Sequence, residues 1–519
     1  MKYYLTTPLY YVNSKPHIGH SYTNIACDAL ARFWRLQGRE VKFLTGTDEH
    51  GQKIDKAAQA AGKKPQEFTD EISQTFRELW KTLDISYDDF IRTTELRHQK
   101  AVQHVWNVLR DKKIGNENLL YRHTYDGWYC TPDESFWSDG QVVREEGKVL
   151  CPDCKRPVDA IEEENFFFTI SKHQAWLIQA IKTGEMKILP DSRKNEALGF
   201  LENNVLQDLC ISRPKTRLAW GIPSPLSDQH VTYVWFDALI NYISACDYTG
   251  RSDKWKRWPA DVHVIGKDIL RHHAVYWPIL LHVLGIPLPK MLFAHGWWVQ
   301  GGEKMSKSRG NVIDPVDISA RFGVDAYRYF LLRESPFGVD GTFSEEALTL
   351  RFNTDLANDL GNLVHRSLTM CEKYYGGDVP AGVSSACHND LRATADALQA
   401  RMAGHMQTLA FSEALAEVWS LINKANKFIE TSAPWTLSKE GKTEELKRVI
   451  VSLMEVLQIA AQAVWPFMPA TGEAIWAQMG NRDPLTAAGP LRWGRFEKGG
   501  GVAKGQPLFP RIEKDKKTN

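Results

Sequence analysis

The sequence predicts an α/β fold: a doubly wound parallel sheet, interrupted by an inserted knuckle domain and followed by an all-α helical bundle. Three observations predict it. Short apolar strands alternate with helical patterns over the first hundred residues, the rhythm of a parallel sheet covered by helices. Between about Gly115 and Ile211 that rhythm breaks, and cysteines appear in a stretch punctuated by glycine and proline. From Ser344 to about Gln478 nearly all apolar residues recur at helical spacing, as in a bundle. A chain of 519 residues is too long for one core and suggests roughly three domains.

The run Lys2-Tyr3-Tyr4-Leu5-Thr6-Thr7-Pro8 is aromatic and β-branched, a buried strand. Beyond the turn Pro16-His17-Ile18-Gly19-His20, apolar residues from Ile25 to Leu36 follow helical spacing until Gly38 stops them. Two imidazoles separated by Ile18 and Gly19 therefore sit at a helix N-terminus, where main-chain N–H groups and the helix dipole favour phosphate. Gly19 lets a ligand approach closely. Alone, His-x-Gly-His is a weak motif, and a turn that merely contains two histidines is the commoner case. A second strand, Glu40 to Gly46, ends in Thr47-Asp48-Glu49-His50-Gly51, with helices around Ile54–Ala61 and Phe68–Leu83. In such a Rossmann-like arrangement ligands lie beyond the carboxyl ends of the strands. Asp48 lies there, and that position favours an ammonium partner over a solvated acidic cluster.

Cys130-Thr-Pro-Asp133 and Cys151-Pro-Asp-Cys154 are spaced as in small zinc knuckles. Three thiolates and a carboxylate can close a tetrahedral Zn2+ site, although Asp133 stands where a fourth cysteine is expected. The stretch fits either that site or a knuckle that folds on packing alone. The sheet resumes at Asp261–Asp268 and again at Met291–Gly296, with a helix rich in His272, His273, Tyr276 and Trp277 between them. Next comes Lys304-Met305-Ser306-Lys307-Ser308, flanked by Gly301, Gly302 and Gly310, the composition of a mobile loop. Leu508-Phe-Pro-Arg-Ile512 near the end is an apolar staple back onto the body.

A net charge of +1 means that any nucleic-acid surface must be a local basic face. Eight cysteines in so long a chain make no disulfide framework, and a reduced cytoplasm fits them. No secretion leader is evident. The most apolar run, Ala274 to Pro289, is too interrupted to span a membrane.

The pairing of His-Ile-Gly-His at a first βα turn with Lys-Met-Ser-Lys-Ser after a late strand resembles the class I aminoacyl-tRNA synthetases. Thr7-Pro8-Leu9-Tyr10-Tyr11, Gly46-Thr47-Asp48-Glu49-His50-Gly51, Tyr233–Ala238, Gly266-Lys267-Asp268 and the helical bundle are similar to the bacterial methionyl-tRNA synthetases within that class, and the likeness covers almost the whole chain. The resemblance implies activation of L-methionine with ATP and Mg2+, then transfer to tRNA(Met), initiator tRNA included. His17 and His20, with Lys304 and Lys307, would carry catalysis. ATP would be bound by His17, Gly19, His20, Gly266, Asp268, His295, Gly296, Trp298 and Lys307. Methionine would meet Leu9, Tyr11, Asp48, Trp235, Leu239, Tyr242, Ile269 and His273, with His272, Tyr276 and Trp277 nearby. Aromatic rings suit a polarisable thioether, yet each ring alone could equally be core packing. Such a pocket separates methionine from homocysteine by one methyl, about 1–3 kcal/mol. With no insertion of editing-domain size, any hydrolytic correction would use the synthetic site.

The resemblance also places the anticodon on Asn423, Lys427 and Trp493. Trp493 would be a stacking platform, and Asn423 would either contact a base or pack the bundle. Lysine replaces the arginine of some relatives at 427, without its planar fork. The expected division is a catalytic domain in two halves (1–114 and 212–300), a connective insert with the possible zinc knuckle (115–211), the lysine–serine loop and stem-contact segment (301–343), the anticodon-binding bundle (344–482) and a tail packed on the body (483–519). A cytoplasmic monomer is expected, since some relatives dimerise through an added C-terminal domain and this sequence ends without one.

Synthetases for valine, isoleucine or leucine would need large editing insertions, and a cysteine enzyme would need a metal at its thiol pocket. A tRNA-binding relative without catalysis would have no use for Lys307. A small-molecule nucleotidylyltransferase would not need the bundle. Lys307→Ala is expected to lose about 3 kcal/mol of transition-state stabilisation, by analogy with one oxyanion donor. Methionine affinity should stay nearly intact, as ATP–pyrophosphate exchange on the variant will show.

Overall fold

In the computed structural model, residues 1–145, 147–300, 303–304, 313–382 and 389–513 are described. The first elements are β1 (Lys2–Thr6), β2 (Tyr10–Tyr11), α1 (Ile18–Leu36), β3 (Glu40–Asp48), α2 (Gln52–Ala60) and β4 (Asp89–Arg92). Side chains of β1 are buried on both sheet faces, with Tyr3 and Leu5 in one core cluster and Tyr4 in another. A strand of that kind belongs inside a parallel sheet.

The sheet has seven strands, and every pairing in it is parallel. Its order runs Lys187–Leu189, Met291–His295, Val262–Gly266, β1, β3, with β4 beyond β3. Chain order reverses between β1 and Val262–Gly266. This is the topological switch point, where the strand ends leave a crevice. The strand Lys187–Leu189 lies inside the 115–211 stretch, yet it pairs with Met291–His295 at the sheet edge.

β2 continues β1 along the same edge of β3. Thr47 pairs with both Tyr10 and Arg92, so those partners flank opposite edges. Thr6 faces Leu44 and Tyr10 faces Thr47, so four steps on one strand match three on its partner. The extra residue, around Pro8, is a bulge. It exchanges the two faces, as a one-residue slip must. Tyr3 and Leu5 share a core cluster with Tyr10 and Val12, whereas Leu9 packs with Tyr4's cluster and Tyr11 touches both.

The insert is a four-stranded antiparallel sheet ordered Leu209–Cys210, Asp159–Phe168, Leu120–Cys130, Ser135–Trp137. Between Val262–Gly266 and Met291–His295, a π-turn at His272–Tyr276 precedes the helix Trp277–Leu284. Pro278 lacks the N–H that would bond the carbonyl four residues back, which favours a widened turn there.

The C-terminal helices include Phe411–Ser432, Thr443–Val464 and Pro469–Gln478. One apolar cluster runs from β1 and α1 into these helices. In the tail, Phe509 meets Phe352 edge-on at 5.7 Å, and Asn353 exchanges two hydrogen bonds of 2.9 Å with the Ile512 main chain. The helix Val324–Arg333 lies between α1 and the bundle. Tyr327 Oη bonds Ser21 Oγ at 2.7 Å, and Asp325 accepts the N–H and hydroxyl of Thr471. Arg328, fully buried, donates to Asp28 of α1 at 2.6 Å and to the carbonyls of Leu83, Pro466 and Phe467. Burial alone would raise the Asp28 carboxyl. Arg328 and Arg32, with Ser86, instead hold it below the ordinary carboxylate range.

Arg328→Leu leaves Asp28 and three carbonyls short of a donor. It should destabilise the fold by about 3–5 kcal/mol, read as a lowered urea midpoint at unchanged slope.

Candidate active site

α1 opens with no acidic residue in its first turn, and its N-cap is His17. His17 Nδ1 accepts the Gly19 N–H and His20 Nδ1 accepts the His17 N–H, both at 3.1 Å. This is a capping box built from two imidazoles. An Nδ1 that accepts a main-chain N–H carries no proton, so both rings are neutral with the proton on Nε2. The rings lie 3.9 Å apart, and His20 packs edge-on against Tyr10 and Phe76. Gly19 is required locally too: a Cβ there would meet His17 Cε1 at 3.0 Å. The turn thus presents ring donors and a helix N-terminus, a natural anion cradle.

It borders a cleft of about 2000 Å³ at the switch point. Gly266, Asp268, His295, Gly296 and Trp298 line the same cleft. Gly296 must be glycine, since a Cβ would lie 2.1 Å from the Val339 carbonyl oxygen. Both His295 nitrogens are engaged, Nε2 with Thr23 Oγ1 (2.8 Å) and Nδ1 with the Gly296 carbonyl (2.7 Å), and burial lowers its pKa. Trp298 is 4% exposed and packs on Tyr22 and Phe330. These two rings shape the crevice wall, while Asp268 is exposed.

Leu9, Tyr11, Asp48, Trp235, Leu239, Tyr242, Ile269 and His273 also line the cleft. Trp235 stacks on His272 at 3.8 Å and meets Tyr11 edge-on at 5.9 Å. His273 Nδ1 bonds the Ile269 carbonyl (2.9 Å) and Nε2 meets Tyr242 Oη (2.8 Å). Burial lowers its pKa to about 4, so the ring is neutral. Asp48 Oδ1 is buried without a hydrogen-bond partner. Burial, then the charges of Asp237 and Glu134, push its carboxyl well above the ordinary range. Asp237 is different: burial would raise it, but His50 (2.7 Å) and His98 (2.6 Å) hold it low. A cation supplied by a ligand would relieve Asp48.

Lys307 lies outside the described residues. Lys304 is described by its backbone alone: strand Glu303–Lys304 pairs antiparallel with Trp298–Gln300 at the cleft edge. On the far side of the lysine–serine stretch, the Ile313 carbonyl accepts the Ile18 N–H at 3.4 Å. One flank of the stretch therefore meets the cleft edge and the other meets the histidine turn.

The structure brings Cys130, Asp133, Cys151 and Cys154 together, with all ligand atoms within 4.8 Å of one another. Cys130 Sγ is 3.5 Å from Cys154 Sγ, and Asp133 Oδ2 is 3.3 Å from Cys151 Sγ. Tetrahedral zinc with Zn–S bonds of about 2.3 Å fits such a cage. Asn423 and Lys427 are exposed on the helix Phe411–Ser432. Asn423 therefore does not pack the bundle; Asn426 does so, bonding the Asp359 carbonyl at 3.0 Å. Trp493 is half-buried against the core.

Sequence reasoning missed several residues. Trp297 bonds Asp268 through Nε1 and lies 4.1 Å from Lys267 Nζ, which pairs with Asp340. The Trp-Trp pair after Gly296 was the available signal. His50 and Asp237 lie in the family-like stretches Gly46–Gly51 and Tyr233–Ala238, whereas no local pattern announces His98 or Glu134, and these residues come together only in the fold.

A two-histidine helix start at the switch point of a parallel sheet, with a lysine–serine stretch later in the chain, marks a class I aminoacyl-tRNA synthetase, and comparison with known proteins shows that class. Residues 3–160 and 155–368 match the family of tRNA synthetases class I (M), and residues 379–519 match the anticodon binding domain of methionyl tRNA ligase. The methionine–tRNA ligase of Caldanaerobacter subterraneus subsp. tengcongensis is 48% identical over 518 residues, spanning 99% of this chain and 79% of that protein. That of Thermotoga maritima is 45% identical over 519 residues, spanning 99% and 81%. Among solved structures, Mycobacterium tuberculosis methionyl-tRNA synthetase in complex with methionyl-adenylate aligns with a TM-score of 0.92 at 40% identity, covering 98% of this chain and 100% of that one. Its free state gives 0.86 at 37% identity, covering 99% and 98%. The chain belongs to the methionine–tRNA ligase family.

Proposed function

We propose that the cleft divides the chemistry of this ligase among its residues as follows. The enzyme activates L-methionine with ATP, releasing pyrophosphate, and then transfers the methionyl group from the adenylate to the 3′ end of tRNA(Met), including the initiator. The amino-acid carboxylate attacks the α-phosphorus, so positioning and charge stabilisation carry the rate. The observation that carries this reading is the approach of Ile313, which follows the lysine–serine segment in the chain, to Ile18 of the histidine turn.

His17 and His20 donate Nε2–H to phosphate oxygens as neutral donors, with Gly19, Gly266 and Gly296 giving the nucleotide close access to main chain. Lys304 and Lys307 neutralise charge on the departing pyrophosphate of Mg2+–ATP. Asp48 takes the α-ammonium, while Tyr11, Trp235, Leu239, Tyr242, Ile269, His273 and Leu9 enclose the thioether. Cys130, Asp133, Cys151 and Cys154 hold a structural Zn2+, whose chemistry is to cross-link the insert. Asn423, Lys427 and Trp493 receive anticodon bases. None of the seven described cysteines forms a disulfide, and we take the enzyme to be cytoplasmic. We take it to be a monomer.

ATP–pyrophosphate exchange against all twenty amino acids should respond to methionine alone; a signal with another amino acid and none with methionine would overturn the assignment. The raised Asp48 carboxyl adds a pH dependence. Ammonium binding needs the ionised form, so methionine affinity should fall as pH drops through a break well above the ordinary value of about 3.9. Asp48→Asn should weaken methionine by about ten- to a hundredfold and erase the break, as KM measured across pH will show.

A further inference from the structure

The turn that carries the metal ligand Asp133 also touches the amino-acid pocket. Glu134, with φ 51°, is 1% exposed. Its Oε1 accepts the Lys53 N–H at 2.6 Å. Lys53 lies in the first turn of α2, just after Asp48-Glu49-His50-Gly51. That helix has no cap of its own, because its N-cap is Gly51 with φ 101°. A helix start needs acceptors for its free N–H groups, and here the acceptor comes from the insert, 81 residues away. Gly51 leaves room for it, since a Cβ there would sit 2.9 Å from Glu134 Oε1.

The other contacts of the turn reach the opposite side of the pocket. The Glu134 carbonyl accepts the Tyr233 hydroxyl, and the Asp133 carbonyl accepts Trp235 Nε1 at 3.2 Å. Tyr129 donates its hydroxyl to Glu134 Oε2 and fixes the carboxylate within the insert. One short turn therefore grips the segment that follows Asp48 and the helix that carries Trp235.

We propose that Glu134 is a positioning residue for methionine: by capping α2 from the insert, it sets the spacing between the Asp48 side and the Trp235 side of the pocket. This rests on reading Asp48 and Trp235 as the amino-acid site. Glu134 touches neither the nucleotide turn at His17–His20 nor the lysine–serine flanks among the described contacts. Its removal should therefore loosen methionine and spare ATP.

The experiment is calorimetric titration of methionine into the purified full chain, beside KM for methionine and for ATP in pyrophosphate exchange. Glu134→Ala should weaken methionine about tenfold, the worth of one charge-assisted hydrogen bond, with KM for ATP within about twofold. Glu134→Gln keeps an Oε1 acceptor for the Lys53 N–H and should restore affinity to within about threefold of the parent. Tyr233→Phe removes one hydroxyl from the same turn and should weaken methionine by about threefold, a result that does not depend on the alanine variant folding. Unchanged methionine affinity in Tyr233→Phe, equal rises in both KM values, or no rescue by glutamine would overturn the proposal. If Asp48→Asn binds methionine like the parent, the pocket assignment fails instead, and the two failures are told apart.

Discussion

The first N–H groups of a helix have no carbonyl to bond within it. In α1 two imidazole nitrogens, His17 Nδ1 and His20 Nδ1, sit where the side chain of a serine or an acid would otherwise close the turn. The capping bonds do more than start a helix. They fix the tautomer of each ring, hold His20 against Tyr10 and Phe76 with His17 beside it, and leave the far nitrogens as donors. Because α1 follows the central strand at the switch point, the same bonds hold both rings at the border of the crevice. The rest of the molecule then arranges substrates around a feature of the backbone.

Much of this was legible in the chain and some was not, for physical reasons. β1, α1 and β3 are long enough for their patterns to show, and the two signature stretches are legible as letters although nearly three hundred residues separate them. Lys187–Leu189 is a three-residue strand, too short for any pattern, and only its neighbour Met291–His295 makes it part of the sheet. The exposed state of Asn423 depends on a phase within one helix that sequence left ambiguous. Asp237 is held by histidines far from it in sequence, and Glu134 caps a helix in another domain. Contacts of that kind belong to the fold and not to any window of residues.

The segments that look like separate domains on paper share their interior. A single apolar cluster passes from Leu5 and Ile25 through Tyr327 and Phe330 to Leu421 and Leu457. Arg328 links α1, the end of the helix Pro65–Thr82 and the bundle through four acceptors. The insert joins through a second apolar cluster, in which Leu120, Phe166, Phe168 and Ile188 pack with Tyr4, Trp106 and Leu292, and through polar contacts around Asp133 and Glu134. Packing thus ties both the bundle and the insert to the parallel sheet, on its two faces, and hydrogen bonds around Glu134 are added on the insert's side.

The bulge near Pro8 bears on how this sequence can change. Because one surplus residue sets Leu9 and Tyr11 on the cleft side and buries Tyr10 in the interior, the number of residues in that stretch matters as much as which residues they are. A deletion there would send a phenol that lines the cleft into hydrocarbon and bring a core tyrosine out in its place. Counting residues, as much as conserving them, is what keeps this edge of the enzyme working.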